Sequence, residues 1–196
     1  MIRRAALALV LGAAVAIACG DNMITGKLTP VPPVAKVSPD LDGRVILVGD
    51  PVLESKDPVH HQRAKDAHVL DDFKAAMIEA MGLTGWRVST NKGERYDIEA
   101  KLALHVDEDD GNVNQIYRCN VVGTDGKSLA QIDWRWPRGT YVEPTDVFTF
   151  ATHNLAGEVV KSRPVAAYLR LPPHTRSHPN EHDGGTSETG DAAPPR

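Results

Sequence analysis

The stretch "YDIEAKLALHVDEDDGNVNQIYRCNVVGTDGKSLAQIDWRW", residues 96–136, holds three runs in which apolar side chains fall on every second position. In the first run Ile98, Ala100, Leu102, Leu104 and Val106 share one face. In the second the face is shared by Val113, Tyr117, Cys119 and Val121, and in the third by Ala130, Ile132, Trp134 and Trp136. Successive side chains of a strand point to opposite sides, so each run predicts a strand with one covered face and one solvated face. The joints are turn sequences. Asp125-Gly126 is the favoured pair for a type I′ hairpin, and Asp110-Gly111 offers the same chemistry in a longer loop. The three runs therefore predict an antiparallel meander.

Outward from the meander, "RVILVGD" at residues 44–50 is a β-branched run, apolar on both sides, and suits a central strand. Val69, Leu70, Phe73, Ala76, Met77, Ala80 and Met81 follow at helical spacing, with Gly82 placed to end the helix. Its start is offered twice, by Asp57-Pro58 and by Asp66. "GWRVST" at residues 85–90 returns as a strand that Asn91-Lys92-Gly93 breaks, either separate from the run at Ile98 or one bent strand with it. Beyond the meander Phe148, Ala151, Thr152, Leu155 and Val159 form the stripe of a closing helix. Thr145 or Asp146 is placed to cap it, and Pro164 ends it or opens a further turn. The order is β-α-β-β-β-β-α. Two amphipathic helices and a half-covered sheet satisfy each other as a two-layer α+β sandwich.

That arrangement sorts the remaining side chains. Trp134 and Trp136 share the face of Ile132 and are expected beneath a helix; an open face would instead let them stack on a sugar. Glu99, Lys101, Arg118, Asp133 and Arg135 alternate with the apolar set and point to solvent, a mixed-charge face suited to a partner or ligand contact.

The chain opens "MIRRAALALVLGAAVAIACG", with Arg3 and Arg4 ahead of an uncharged stretch over residues 5–18. A bilayer core of about 30 Å needs about 20 apolar residues, so this run is short for a span and has the layout of an export signal. Ala16, Ile17 and Ala18 before Cys19 resemble the lipobox of bacterial lipoproteins, with Ala16 where that family usually has leucine. The resemblance implies cleavage after residue 18, acylation (palmitate-type chains) of Cys19 on its sulfur and new amino terminus, and a periplasm-facing lipid anchor. Two or more acyl chains hold a protein stably on a membrane. Gly20 stands where an aspartate would resemble the inner-membrane retention signal, so the outer membrane is favoured.

The expected division is a signal peptide at 1–18, a proline-rich tether at 19–40, an α+β domain at 41–171 and a disordered tail at 172–196. The tether carries four prolines between residues 20 and 40, and the tail has almost no large apolar residues. Removing residues 1–18 takes away two of 22 basic side chains and none of 26 acidic ones, leaving a formal net charge of −6. That balance argues against nucleic acid as a partner. With Cys19 acylated, Cys119 has no partner for an internal disulfide.

Motifs for chemistry fail on spacing. "VVGTDGKS" at 121–128 has Val121 where a phosphate loop needs glycine, and a strand follows it where that loop needs a helix. A calcium loop with Gly111 at its sixth position would start on Val106 and end on Tyr117. His174, His178 and His182 recur every fourth residue, but Pro179 interrupts any helix there, so no metal site is expected. His60, His61 and His68 are explained by a surface helix face. Cys119 lies on an apolar strand face, the setting of a buried inert thiol. No nucleophile elbow, zinc-protease or dithiol motif occurs, and neither an enzyme nor a cofactor is expected.

Lipid anchor, tether, strand, helix, meander and closing helix are together similar to a group of small envelope lipoproteins over residues 19–165. The group includes the lipopolysaccharide-assembly lipoprotein and lipoprotein activators of peptidoglycan synthases. The resemblance implies a membrane-anchored, non-catalytic binding or assembly factor with an envelope protein as partner. The alternative is a lipoprotein that binds a small ligand or metal.

Overall fold

The β-branched run forms β1 (Val45–Val48), and strands flank it on both sides. The computed structural model describes residues 29–109, 112–136 and 146–172. After β1 come β2 (Val52–Glu54), α1 (Pro58–Asp66), α2 (Val69–Thr84), β3 (Arg87–Ser89) and β4 (Ile98–Asp109). β5 (Asn112–Gly123), β6 (Ser128–Arg135), α3 (Val147–Lys161) and α4 (Arg163–Arg170) complete the order. The architecture is the expected α+β sandwich.

The sheet is mixed. Its order is β3-β1-β4-β5-β6, and β2 pairs with β4 beyond the end of β1. β4, β5 and β6 form the antiparallel meander, with Leu102 opposite Cys119 and Cys119 opposite Ile132. β1 and β2 run parallel to β4, and β3 runs parallel to β1. β3 and β4 thus lie on opposite sides of β1 and are two strands, not one bent strand. The connection at residues 90–97 has to cross β1, and α2 occupies the inner side. It crosses on the outer side, where Lys92 Nζ comes within 3.8 Å of Glu99 Oε1. This accounts for the complete burial of Leu47, which points outward. The turn after β5 differs from the expected type I′. Gly126 has φ 81°, but Asp125 keeps a negative φ, and Gly126 N–H donates to the Gly123 carbonyl at 3.0 Å. A type I turn with glycine in the left-handed position fits that pattern.

The first helical segment is two helices. Asp57 Oδ1 accepts from Val59 N–H at 2.8 Å and Pro58 occupies the first turn, so the earlier start is used for α1. His68, at φ 51°, breaks the axis before α2 begins. Gly82 lies inside α2, and the left-handed C-cap is Gly85 at φ 107°. Asp146 precedes α3 without a side-chain capping bond, and Ser162, in extended conformation, separates α3 from α4. Pro164 sits in the first turn of α4.

Phe73, Met77 and Met81 of α2, Leu155 and Val159 of α3, and Val165 and Leu169 of α4 close over the inner sheet face. From the sheet they meet Ile46, Val48, Leu102, Leu104, Tyr117, Cys119 and Val121. Rings gather at the β6 end. Phe73 meets Tyr117 edge-on at 5.3 Å, Trp134 meets Trp136 at 4.9 Å, and Phe150 stacks on Trp136 at 5.5 Å. The tryptophans belong to the packing under α3, as their strand face predicts. Burial pushes the Cys119 thiol up to about 12, so it stays protonated and inert.

The segment expected as the end of a free tether is part of the folded unit. Val34 and Val37 pack against the core, and Leu41, in a 3₁₀ turn (Pro39–Leu41), is buried. Among the described residues no helix is long and apolar enough to cross a membrane.

Candidate functional site

The outer face of the sheet holds the five polar residues singled out from alternation. β4 contributes Glu99, Lys101 and His105, β5 contributes Arg118 and Asn120, and β6 contributes Gln131, Asp133 and Arg135. Register sets the neighbours: Ala103, Arg118 and Asp133 form one row across three strands, and His105, Ile116 and Arg135 form the next.

Arg118 is the centre of this face. Its Nε donates to Asp133 Oδ1 at 2.8 Å and its Nη2 to Asp133 Oδ2 at 3.1 Å, a two-point contact. Its Nη1 donates to Glu54 Oε2 at 2.7 Å. His105 Nδ1 lies 3.6 Å from the same Glu54 oxygen. The bond from Arg118 holds the Asp133 carboxyl below the usual carboxylate range, and the bond to Asp133 raises the guanidinium in turn. Arg118 is therefore committed to two carboxylates and ties β2, β5 and β6 together across β4. A guanidinium held in this way serves as an organiser of the surface.

Glu99 and Lys101 form a second pair, Nζ to Oε2 at 3.9 Å, with Glu99 also near Lys92. The two ends differ in access. The Glu99 side chain is 14% exposed and that of Lys101 is 56% exposed. Arg135 and Arg87 are exposed on the same face, whereas Ser89 Oγ donates to Glu94 Oε2 at 2.7 Å. Among the described residues the carboxylates are engaged, and the lysine and arginine ends reach outward. Beneath them Ala103, Ile116 and Val122 are buried. The chemistry offered is a cationic rim over a small apolar floor, supported by a fixed ionic network.

Structure thus brings Arg118 together with Asp133, and Glu99 together with Lys101, and sets Arg135 in the row of His105. Glu54 was missed because three-residue β2 has no periodicity of its own, and only its pairing with β4 brings Glu54 beside His105. The histidines near α1 have a local role. His60 Nδ1 lies 2.8 Å from Ser55 Oγ, which also accepts from Asp57 N–H at 3.2 Å, and His61 Nε2 donates to the Ser55 carbonyl at 2.9 Å. These contacts fasten the first turn of α1. Cys19 and the histidines at 174, 178 and 182 lie outside the described residues. Among the described residues no group of three His, Cys, Asp or Glu side chains is arranged to hold a metal ion.

No family model and no curated protein matches the chain. Solved structures do. The PelC dodecamer from Paraburkholderia phytofirmans is similar at 16% identity with a TM-score of 0.36, over 70% of this chain and 96% of that one. A Xanthomonas campestris protein of family DUF330 gives 14% identity and a TM-score of 0.40, over 73% and 94%. A putative neuraminyllactose-binding hemagglutinin homolog from Helicobacter pylori gives 12% identity and a TM-score of 0.31, over 72% and 93%. At these scores the likenesses carry no argument about what this chain does.

Proposed function

We propose that this protein is a lipid-anchored, periplasm-facing envelope lipoprotein, acylated on Cys19, that binds a protein partner through the outer face of its sheet and performs no catalysis. The observation that carries the contact surface is the asymmetry of that face. Among the described residues its carboxylates are engaged by Arg118, Lys92 and Ser89 and by a 3.9 Å contact from Lys101, whose exposed side chain extends from the face with Arg135 and Arg87 over a buried apolar floor. Such a surface complements a partner that presents acidic side chains around a small apolar patch, since opposite potentials favour encounter and fix register. The anchor is supported by the basic start, the short apolar run and the Ala16-Ile17-Ala18-Cys19 pattern. The outer membrane is favoured by Gly20 after the cysteine.

Two experiments separate the two halves. Changing Cys19 to alanine is expected to abolish lipid labelling and to release the chain into the soluble fraction; retention on membranes with residues 1–18 intact defeats the anchor. The double variant Lys101→Glu, Arg135→Glu is expected to keep its fold and lose the crosslinked partner that the wild-type chain retains through membrane purification. If wild type captures no discrete envelope protein after crosslinking, or the double variant captures the same one equally well, the binding surface is wrong.

A further inference from the structure

Apart from the local 3₁₀ turn, in which the Ser38 and Pro39 carbonyls accept from Leu41 and Asp42 N–H, residues 32–40 make their described hydrogen bonds with the helix layer. The Pro32 carbonyl accepts from His153 Nδ1–H on α3 at 2.7 Å, across 121 residues of sequence. Lys36 Nζ donates to the Leu83 carbonyl and Val37 N–H to the Thr84 carbonyl at 2.9 Å, two of the acceptors that the end of α2 leaves unpaired. Arg170 Nε, from the end of α4, donates to Asp40 Oδ2 at 2.7 Å. Val34 and Val37 fill the space between these polar ties, and the position of Gly85 is pressed so closely by Val37 that an added Cβ would stand 3.2 Å from its Cγ2. Three helices hold this segment, and none of its described hydrogen bonds goes to the sheet.

We infer that residues 32–40 are a docked strap that makes the leash leave the domain from the helix layer, so that an anchored molecule stands with its helices toward the bilayer and the outer sheet face turned away from it. The inference rests on the lipid anchor proposed for Cys19. Thirteen peptide links separate Cys19 from Pro32. Even fully extended they span no more than about 45 Å. A leash of bounded length that leaves from the helix side brings that side nearest the membrane. Were the strap free, the leash would gain roughly 30 Å of maximum reach and would emerge at the buried Leu41, ahead of β1, without a preferred face. The strap thus couples two features that are separate in sequence: where the chain is held and which surface it presents.

The test uses the full, acylated chain in phospholipid vesicles that carry a headgroup quencher. Fluorophores go on single cysteines, Leu83→Cys on the helix layer and Gln131→Cys on the outer sheet face; Cys119 is buried and does not compete for label. The expected result is several-fold stronger quenching at position 83 than at 131. Equal quenching, or the reverse order, overturns the orientation. The variant Val34→Asp, His153→Ala is expected to raise amide exchange at Val37, to leave flotation with the vesicles unchanged and to abolish the difference between probes. A difference that persists after Val37 has lost protection overturns the strap's role, as does an unprotected Val37 amide in wild type. Flotation that does not depend on Cys19 instead defeats the anchor and is recognised before either probe is read.

Discussion

The two faces of β5 are made from one strand and held by different physics. Tyr117, Cys119 and Val121 point inward and are buried against α2 and α3, among them the edge-on contact of Tyr117 with Phe73. Arg118 and Asn120, between them, point outward and are held by charge and hydrogen bonds: Arg118 by Asp133 and Glu54, Asn120 by the hydroxyl of Ser128 at 2.6 Å. Inner side chains contribute through area removed from water and close packing, so truncation there leaves a cavity. Outer ion pairs remain partly hydrated and contribute little to stability. A mutation that damages folding therefore belongs on the inner face, and one that damages partner binding alone belongs on the outer face.

The largest expected effect is on the inner side. Phe73→Ala removes a fully buried ring beside Tyr117 and Phe148 and is expected to cost about 3–5 kcal/mol in urea unfolding. A loss below about 1 kcal/mol would mean that the helix layer is not packed on the sheet as described.

Next comes the seam between the layers. A Cβ on Gly123 would lie 2.8 Å from Tyr168 Cζ and 2.9 Å from its hydroxyl, which in turn accepts from Thr124 N–H at 2.9 Å. Gly123→Ala is expected to cost about 1–3 kcal/mol, read as a fall in Tm, and Gly123→Ala with Tyr168→Phe relieves only the hydroxyl part of the clash. Unchanged Tm would place Tyr168 elsewhere.

On the outer face Arg118→Met is expected to cost about 1 kcal/mol or less, while binding to the partner falls because β2 and β6 lose their common tie. Its pH signature is distinctive. Because the Asp133 carboxyl is held below its ordinary value, it binds protons more weakly folded than unfolded. Its contribution is present above the unfolded value near 4 and is lost as pH falls through the lower folded value. Wild type minus Arg118→Met is therefore a stability difference that shrinks as pH falls below the unfolded carboxyl value near 4, measured by denaturant titration at fixed salt. A difference that grows on acidification contradicts the pairing.

The smallest effect has the opposite sign. Gly82 lies within α2 with nothing inside 4 Å of an added Cβ, so Gly82→Ala is expected to stabilise by about 0.5–1 kcal/mol. Destabilisation would show that the helix ends at residue 82 after all.

The same comparison separates what was legible in sequence from what was not. The meander was legible because alternation, once one face is buried, fixes every side chain's direction, and that rule set Arg118 and Asp133 on one outer face; that they are cross-strand partners follows only from the register. β2 was not, because three residues adopt a strand only through their partner strand, and Glu54 was lost with it. The break at His68 was hidden because a left-handed histidine has no reliable sequence mark. Composition masked the strap: prolines at residues 30, 32, 33 and 39 read as a free linker, although Val34 and Val37, three residues apart, are the apolar pair that docks it. The signal peptide, the start of the tether, the Asp110-Gly111 loop, the Thr145 cap and the tail beyond Pro172 lie outside the described residues.

If the outer sheet face is the working surface of an anchored molecule, photo-crosslinking in intact cells from position 131, with a matched probe at position 83, distinguishes the two sides. The expected result is one discrete envelope-protein adduct from Gln131, none of the same mass from Leu83, and loss of the adduct in the Lys101→Glu, Arg135→Glu background. An adduct formed from Leu83 and not from Gln131, or one indifferent to both charge reversals, would contradict it.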